Sequence, residues 1–327
     1  RGTLRASLEE AEERNKRSEL RAYLEDFKIR AVLTAHPTQF YPGSVLGIIT
    51  DLAQAIEAND LELIKDLLAQ LGKTPFSSRQ KPTPFDEAVS LIWFLENIFY
   101  EAAGRIFNFI RNNVFEGAPL DNEIVQLGFW PGGDRDGNPF VTNEITLQVA
   151  ERLRTTILRN YHRDVRALKR RITFKGVDVL VQELEDDLHA SLHDPRSDAV
   201  SGVEDIAGRL HAIRDILARE HQSLYLDLLD DLIHKVQLFG IHFAALDIRQ
   251  DSRVHAAALE AVSARHPELF GGRRYAELDQ AEKAARLGAL TGDVDPATIE
   301  DELARRTLES VRAMKTIQER NGEKGCH

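Results

Sequence analysis

The sequence predicts a mainly α-helical fold with a few parallel β-strands, part of an α/β (TIM-like) barrel with large helical insertions. Three observations carry that expectation. Short, mostly apolar runs at Ile29–Ala35, Val125–Trp130 and Gly240–Ile248 read as buried strands; each is followed by ionisable residues; and long stretches with apolar residues at helical spacing separate them. Parallel strands covered by helices are buried on both faces, so their runs are apolar throughout rather than alternating. Three strands cannot close an eight-stranded barrel, so the barrel is expected to be incomplete in this chain. No composition shift or linker divides the sequence, and residues 1–327 read as one portion of a barrel domain.

Composition narrows the function classes. A net charge of −11 argues against a nucleic-acid binder, which needs a basic footprint, so an anionic substrate must meet a local cluster of Arg and Lys. Charge interrupts the apolar stretches too early for a membrane span. A single cysteine, Cys326, excludes an internal disulfide framework and fits a reducing, cytoplasmic setting. The chain begins at Arg1 rather than Met, as expected of a fragment.

Taken in order, Leu4–Phe27 is rich in Glu, Arg, Leu and Ala and predicts a helix. The first strand run leads into His36-Pro37-Thr38-Gln39, where proline stops any ladder and holds the imidazole at the strand's carboxyl end, the place where barrel enzymes keep their chemistry. Ser44–Ala58 and Leu61–Leu71 predict two helices with a short loop, and the prolines of Thr74–Pro84 an extended connection. Phe85–Val114 is the longest apolar helix pattern and reads as deep core.

The second strand run enters Gly128–Thr142. Gly132-Gly133 lets the backbone turn sharply and approach a ligand, and Asp134, Arg135 and Asp136 follow, two carboxylates around one guanidinium that would fix each other's geometry. Asp134, Asp136 and Asn138 stand at the first calcium-loop spacings, but Pro139 and Ile145 occupy the positions that need Gly and Glu. Asn143–Arg171 predicts a long helix with Leu153, Ile157, Tyr161, Val165 and Leu168 buried, and Arg152, Arg159, Arg163, Arg166 and Arg170 on another face. That basic stripe reads as a solvated face paired with Glu183, Glu185, Asp186 and Asp187, with an anion-sensing role as the alternative. Val177–Leu192, Val203–Glu220 and Ser223–Phe239 predict three more helices. Their histidines lack the paired spacing with a carboxylate that would mark a zinc site, so no metal site is assigned. Past the third strand run come Arg249-Gln250-Asp251-Ser252, an irregular stretch over Ser263–Asp279, and a final helix over Pro296–Arg320.

Three strings, Leu-Thr-Ala-His-Pro-Thr at 33–38, Gly-Phe-Trp-Pro-Gly-Gly-Asp-Arg-Asp-Gly-Asn-Pro-Phe-Val-Thr at 128–142 and Leu-Asp-Ile-Arg-Gln-Asp-Ser at 246–252, closely resemble signatures of the phosphoenolpyruvate carboxylase family. The resemblance runs through the chain in order and corresponds to about the first, N-terminal half of a family member. It implies a carbon–carbon lyase that converts phosphoenolpyruvate and bicarbonate to oxaloacetate and phosphate, fixing carbon dioxide and supplying the tricarboxylic acid cycle. It implies that His36 is catalytic, that Arg249 contacts the phosphate or carboxyphosphate, and that Gly132, Gly133, Asp134, Arg135 and Asp136 organise the floor beneath the site. Gln39 departs from the acidic residue common in the family and receives no charge-dependent role. Mg²⁺ is the implied cofactor, its ligands expected in the C-terminal half, and the implied partners are that half and further copies in a tetramer. The isolated chain is then expected to be inactive. A non-catalytic helical interaction or anion-sensing module of the same architecture is the rival reading.

Overall fold

A computed structural model describes residues 2–35, 41–76, 82–135, 138, 140–194 and 199–327. Three parallel strands, β1 (Ile29–Leu33), β2 (Val125–Phe129) and β3 (Ala245–Leu246), lie in the order β1-β2-β3. Ile29 is opposite Val125 and Leu33 opposite Phe129, while Gly128 and Phe129 face Ala245 and Leu246. Chain order and spatial order coincide, so each strand joins the outer edge of the one before it. The sheet is not closed. Ile29 and Val32 on β1 are exposed, and no strand covers the free side of β1 among the described residues.

A fourth rung was not foreseen. Cys326 bridges Leu246 in parallel, His327 donates its N–H to the Leu246 carbonyl at 3.1 Å, and Ile248 donates to the His327 carbonyl at 2.8 Å. These last residues had no apolar run to announce them.

The helices differ from the sequence expectation at specific backbone sites. Leu4–Phe27 is two helices, α1 (Leu4–Glu13) and α2 (Arg17–Asp26), because Asn15 turns left-handed at φ 56°. α3 (Gly43–Glu57) and α4 (Leu61–Lys73) form the expected pair, Asp60 capping the Leu63 amide. The long core helix is α5 (Pro84–Phe94) and α6 (Tyr100–Phe109), joined and followed by π-helical turns at Leu95–Phe99 and Ile110–Val114. Thr83 and Asp86 cap its start reciprocally, with Pro84 at the first helical position where its missing N–H costs nothing. α7 (Asn143–Lys169) buries the predicted stripe, Leu153, Ile157, Tyr161, Val165 and Leu168. α8 (Asp178–His193), α9 (Val203–Glu220) and α10 (Leu226–Phe239) follow, then α11 (Ser252–Arg265), α12 (Gln280–Ala289) and α13 (Glu302–Asn321).

The run Gly240–Ile248 is shorter as a strand than its apolarity suggested. Gly240 and Phe243 take positive φ, and the Phe243 amide bonds back to Phe239, so Ile241, Phe243 and Ala244 are buried in a turn and only Ala245 and Leu246 join the sheet. A buried apolar run specifies burial before it specifies a strand.

The main core packs β2 and β3 against α5, α6, α7 and α10, with Phe107, Phe129, Tyr161 and Phe243 at most 1% exposed. At about 25 cal/mol per Å² each such aromatic contributes roughly 2–3 kcal/mol. Within this layer Lys235 is 4% exposed, its ammonium ringed by Glu101, Asp164 and Asp231 at 3.1, 3.4 and 2.9 Å. Burial pulls its pKa down, but the hydrogen bonds and charges of these carboxylates outweigh that and hold it above its ordinary value. Smaller cores join α3 to α4, and α11 to the loop carrying Phe270, Leu278 and Ile299.

Candidate active site

The carboxyl ends of β2 and β3 are stitched together by backbone. The Trp130 amide donates to the Leu33 carbonyl at 3.0 Å, prolonging the β1–β2 ladder, and the Gly133 and Asp134 amides both turn back onto the Trp130 carbonyl at 2.9 Å. After that turn the chain rejoins the sheet: the Arg249 amide donates to Gly133 at 3.1 Å and the Arg135 amide to Arg249 at 2.9 Å. Both glycines are required by space. Gly132 has φ 81° and a β-carbon there would lie 2.6 Å from Val149 Cγ2; one on Gly133 would lie 2.3 Å from the Asp247 carbonyl oxygen. The close approach expected of Gly132-Gly133 is thus to the protein's own α7 and β3 segment.

This stitching sets Arg249. Its guanidinium lies 3.9 Å from the Trp130 ring centroid, and Nη1 donates to Asp134 Oδ2 at 3.1 Å. Stacking on one face and a carboxylate on one edge fix the plane of the fork, while its side chain stays 41% exposed. One bond to Asp134 leaves most of the five guanidinium N–H groups for an incoming anion.

Asp247 anchors the assembly from below. Its Oδ2 accepts the Trp130 indole N–H at 3.1 Å, and Oδ1 accepts from Arg30 Nη2 on β1. A β-carbon on Gly128 would approach Arg30, Val32 and Asp247, so these residues share one face of the sheet. The network therefore runs across all three strands, from Arg30 through Asp247 and Trp130 to Arg249 and Asp134. Cys326 is fully buried nearby, and burial, aided by the charge of Asp247, pushes its thiol up to about 12, which removes it as a nucleophile at neutral pH.

Of the residues singled out from sequence, Gly132, Gly133, Asp134 and Arg249 come together. Arg135 departs from its expected place. The guanidinium that Asp134 holds is that of Arg249, whereas Arg135 turns to α7, where Nη2 donates to Asn143 Oδ1 and to Thr146 Oγ1. Burial lowers the Arg135 pKa, and its Nε is buried with no partner among the described residues. Arg135 thus ties the loop to the start of α7, helped by the Thr146 hydroxyl, which donates to the Gly132 carbonyl at 2.7 Å. Strand geometry explains the exchange: once residues 133–135 run parallel to 248–250, Asp134 lies opposite Arg249. His36, Gln39 and Asp136 lie outside the described residues. Asp251 belongs to α11, whose Arg253 amide it caps at 2.8 Å.

Arg30, Trp130 and Asp247 were missed as site residues. A signal existed for two of them. A lone arginine in an otherwise apolar strand run calls for an acid, and Asp247, two residues before Arg249 in an extended run, projects to the same side.

The chain matches the family described as Phosphoenolpyruvate carboxylase over residues 1–204 and 183–327. The phosphoenolpyruvate carboxylase of Vibrio atlanticus (strain LGP32) is 28% identical over 308 residues, which cover 80% of this chain and 34% of that protein. That of Shewanella sediminis (strain HAW-EB3) is 30% identical over 314 residues, covering 82% and 35%. The chain therefore spans about a third of the length of these relatives, less than the half expected from its motifs.

Proposed function

Because the chain belongs to the phosphoenolpyruvate carboxylase family, we propose that it forms the anion-holding part of a site that carboxylates phosphoenolpyruvate with bicarbonate. The observation that carries this reading is Arg249, clamped between Trp130 and Asp134 at the strands' carboxyl ends with donors left over. Three parallel strands in sequential order and the fourth rung at Cys326 support a TIM-like barrel, begun here as an N-terminal portion and completed by the rest of the protein. No helix among the described residues is long and apolar enough to cross a membrane, in keeping with work in the cytoplasm.

In this mechanism a bicarbonate oxygen attacks the phosphorus of phosphoenolpyruvate. The bond from phosphorus to the enol oxygen breaks, giving carboxyphosphate and the enolate of pyruvate. Arg249 holds the phosphoryl oxygens through two parallel N–H bonds, which a point charge could not reproduce. His36 takes the carboxyl proton of carboxyphosphate; carbon dioxide is released as phosphate departs, and the enolate carbon adds to it to form oxaloacetate. An imidazole with an ordinary pKa of about 6.5 suits that proton transfer.

The family generally needs a divalent metal, and Mg²⁺ is the ion proposed for the complete enzyme. Among the described residues no group of three or more His, Cys, Asp or Glu is arranged to hold one, so its ligands are assigned to other residues. The complete enzyme is proposed to be a homotetramer.

The test is His36→Asn in the full-length protein, with oxaloacetate, pyruvate and phosphate measured together. Loss of oxaloacetate with some phosphoenolpyruvate still converted to pyruvate and phosphate is expected, since the base serves the steps after phosphoryl transfer. Undiminished oxaloacetate would refute the role of His36.

A further inference from the structure

Arg30 starts far from the strand ends and is nevertheless joined to them. It lies on β1 in register with Gln126, four positions before Trp130 on the neighbouring strand. Its guanidinium still reaches Asp247, on the far side of β2, where Nη2 donates to Oδ1. The side chain crosses β2 over Gly128, which offers nothing to block it: a β-carbon there would lie 3.1 Å from Arg30 Nε and 3.2 Å from Asp247 Oδ2.

This reach sets the charge beside Arg249. Asp247 stands two residues before Arg249, and in an extended segment two such side chains point to one face. The Asp247 side chain is 15% exposed, so its charge is poorly screened and needs a cation. Arg30 supplies it at Oδ1, and Oδ2 accepts the Trp130 indole N–H at 3.1 Å. With both oxygens engaged, Asp247 does not draw Arg249 off the Trp130 ring, where its guanidinium lies 3.9 Å from the centroid. Within this network two guanidiniums, Arg30 and Arg249, face two carboxylates, Asp247 and Asp134. Loss of Arg30 would leave one against two, and an anion approaching Arg249 would meet an uncompensated negative charge.

We infer that Arg30 is a positioning residue for the anion site: by neutralising Asp247 it keeps the Arg249 fork on Trp130, with donors free for the substrate phosphate. The inference rests on the proposed carboxylase reading, with Arg249 as the phosphate holder. Arg30 acts through Asp247 rather than by touching substrate. The charge balance weighs on phosphoenolpyruvate as it arrives and as it reacts alike, so its loss falls on KM and spares kcat.

Steady-state kinetics of the full-length protein test this. Arg30→Met keeps the apolar stem and removes the charge; it should raise KM for phosphoenolpyruvate about fivefold, the order of a coupling within one hydrogen-bonded network, with kcat held within about twofold. Adding Asp247→Asn should rescue it, because the amide oxygen still accepts the Trp130 N–H and the uncompensated carboxylate is gone; KM should return to within about twofold of the wild type. A role in packing alone would leave the double variant no better than the single one. Lys324→Met is the control, since Lys324 lines the same hollow of about 250 Å³ as Arg30 but pairs with Glu123, and its KM should not change. If Arg30→Met misfolds by circular dichroism, Arg30→Gln is read with the same expectation. Arg249→Lys separates the two readings. Unchanged KM in that variant would remove Arg249 as the phosphate holder, and the inference with it. Raised KM in Arg249→Lys with normal KM in Arg30→Met, no rescue by Asp247→Asn, or an equal rise in Lys324→Met would overturn the inference alone.

Discussion

Gly133→Ala tests whether the contact between the two strand ends builds the site. The added β-carbon would sit 2.3 Å from the Asp247 carbonyl oxygen and 3.0 Å from its carbon. An ordinary carbon–oxygen contact is about 3.3 Å, so the two segments must part by about 1 Å. They cannot part freely. The Asp247 amide is bonded to Phe129 at 2.9 Å, the Arg249 amide to Gly133 at 3.1 Å and the Arg135 amide to Arg249 at 2.9 Å. A 1 Å opening breaks the last two of these bonds, about 1 kcal/mol each, on top of an overpacking cost of about 1–3 kcal/mol. The expected destabilisation is about 3–5 kcal/mol, with Arg249 drawn off Trp130. Gly128→Ala is the control: its nearest neighbours, Arg30 Nε and Val32 Cγ2 at 3.1 Å, are side-chain atoms that can yield, so it should cost less than about 1.5 kcal/mol. Urea unfolding of both variants, with hydrogen exchange at the Arg249 and Arg135 amides, gives the comparison. Equal midpoints and undiminished protection at both amides would refute the reasoning.

Two further outcomes are expected. His234 is 5% exposed and burial, reinforced by the charge of Arg111, lowers its pKa to about 4, while its Nδ1 is held by Asn108. Because the unfolded chain takes up this proton near 6.5 and the folded chain only near 4, the stability conferred by a neutral His234 is full above about pH 6.5 and is lost as pH falls toward 4. The loss is at most about 3 kcal/mol over that window; unfolding curves for the wild type and His234→Gln should diverge in their pH slope, and parallel slopes would count against it. The 327-residue chain by itself should show no oxaloacetate formation with phosphoenolpyruvate, bicarbonate and Mg²⁺, and should associate through the exposed β1 edge. Robust turnover by a monodisperse 36.9 kDa species would contradict both statements.

The sequence by itself determined most of the helices, though not α11 or α12, the neighbourhoods of the three strands, the buried stripe of α7 and, through three short motifs, the family. These are local properties: apolar spacing, capping residues and turn formers act within a few residues of one another, and a motif is read along the chain. It also marked Gly132, Gly133, Asp134 and Arg249 before showing why they belong together. Only the tertiary structure decided the partners. Asp134 pairs with Arg249 across 115 positions, Arg30 with Asp247 across 217, and Arg135 with α7 rather than with its neighbours in sequence. Register between β2 and β3 sets those pairings, and register is fixed by which backbone groups and glycines allow close approach, as the 2.3 Å clearance at Gly133 demonstrates. Likewise the arginine row on α7 was visible from its spacing, but whether acids cancel it depended on where α8 and α9 pack: Asp187 went to Arg209, leaving Glu185 as the carboxylate beside the row. Charges have no range written in the chain; their balance is decided by the distances that folding creates.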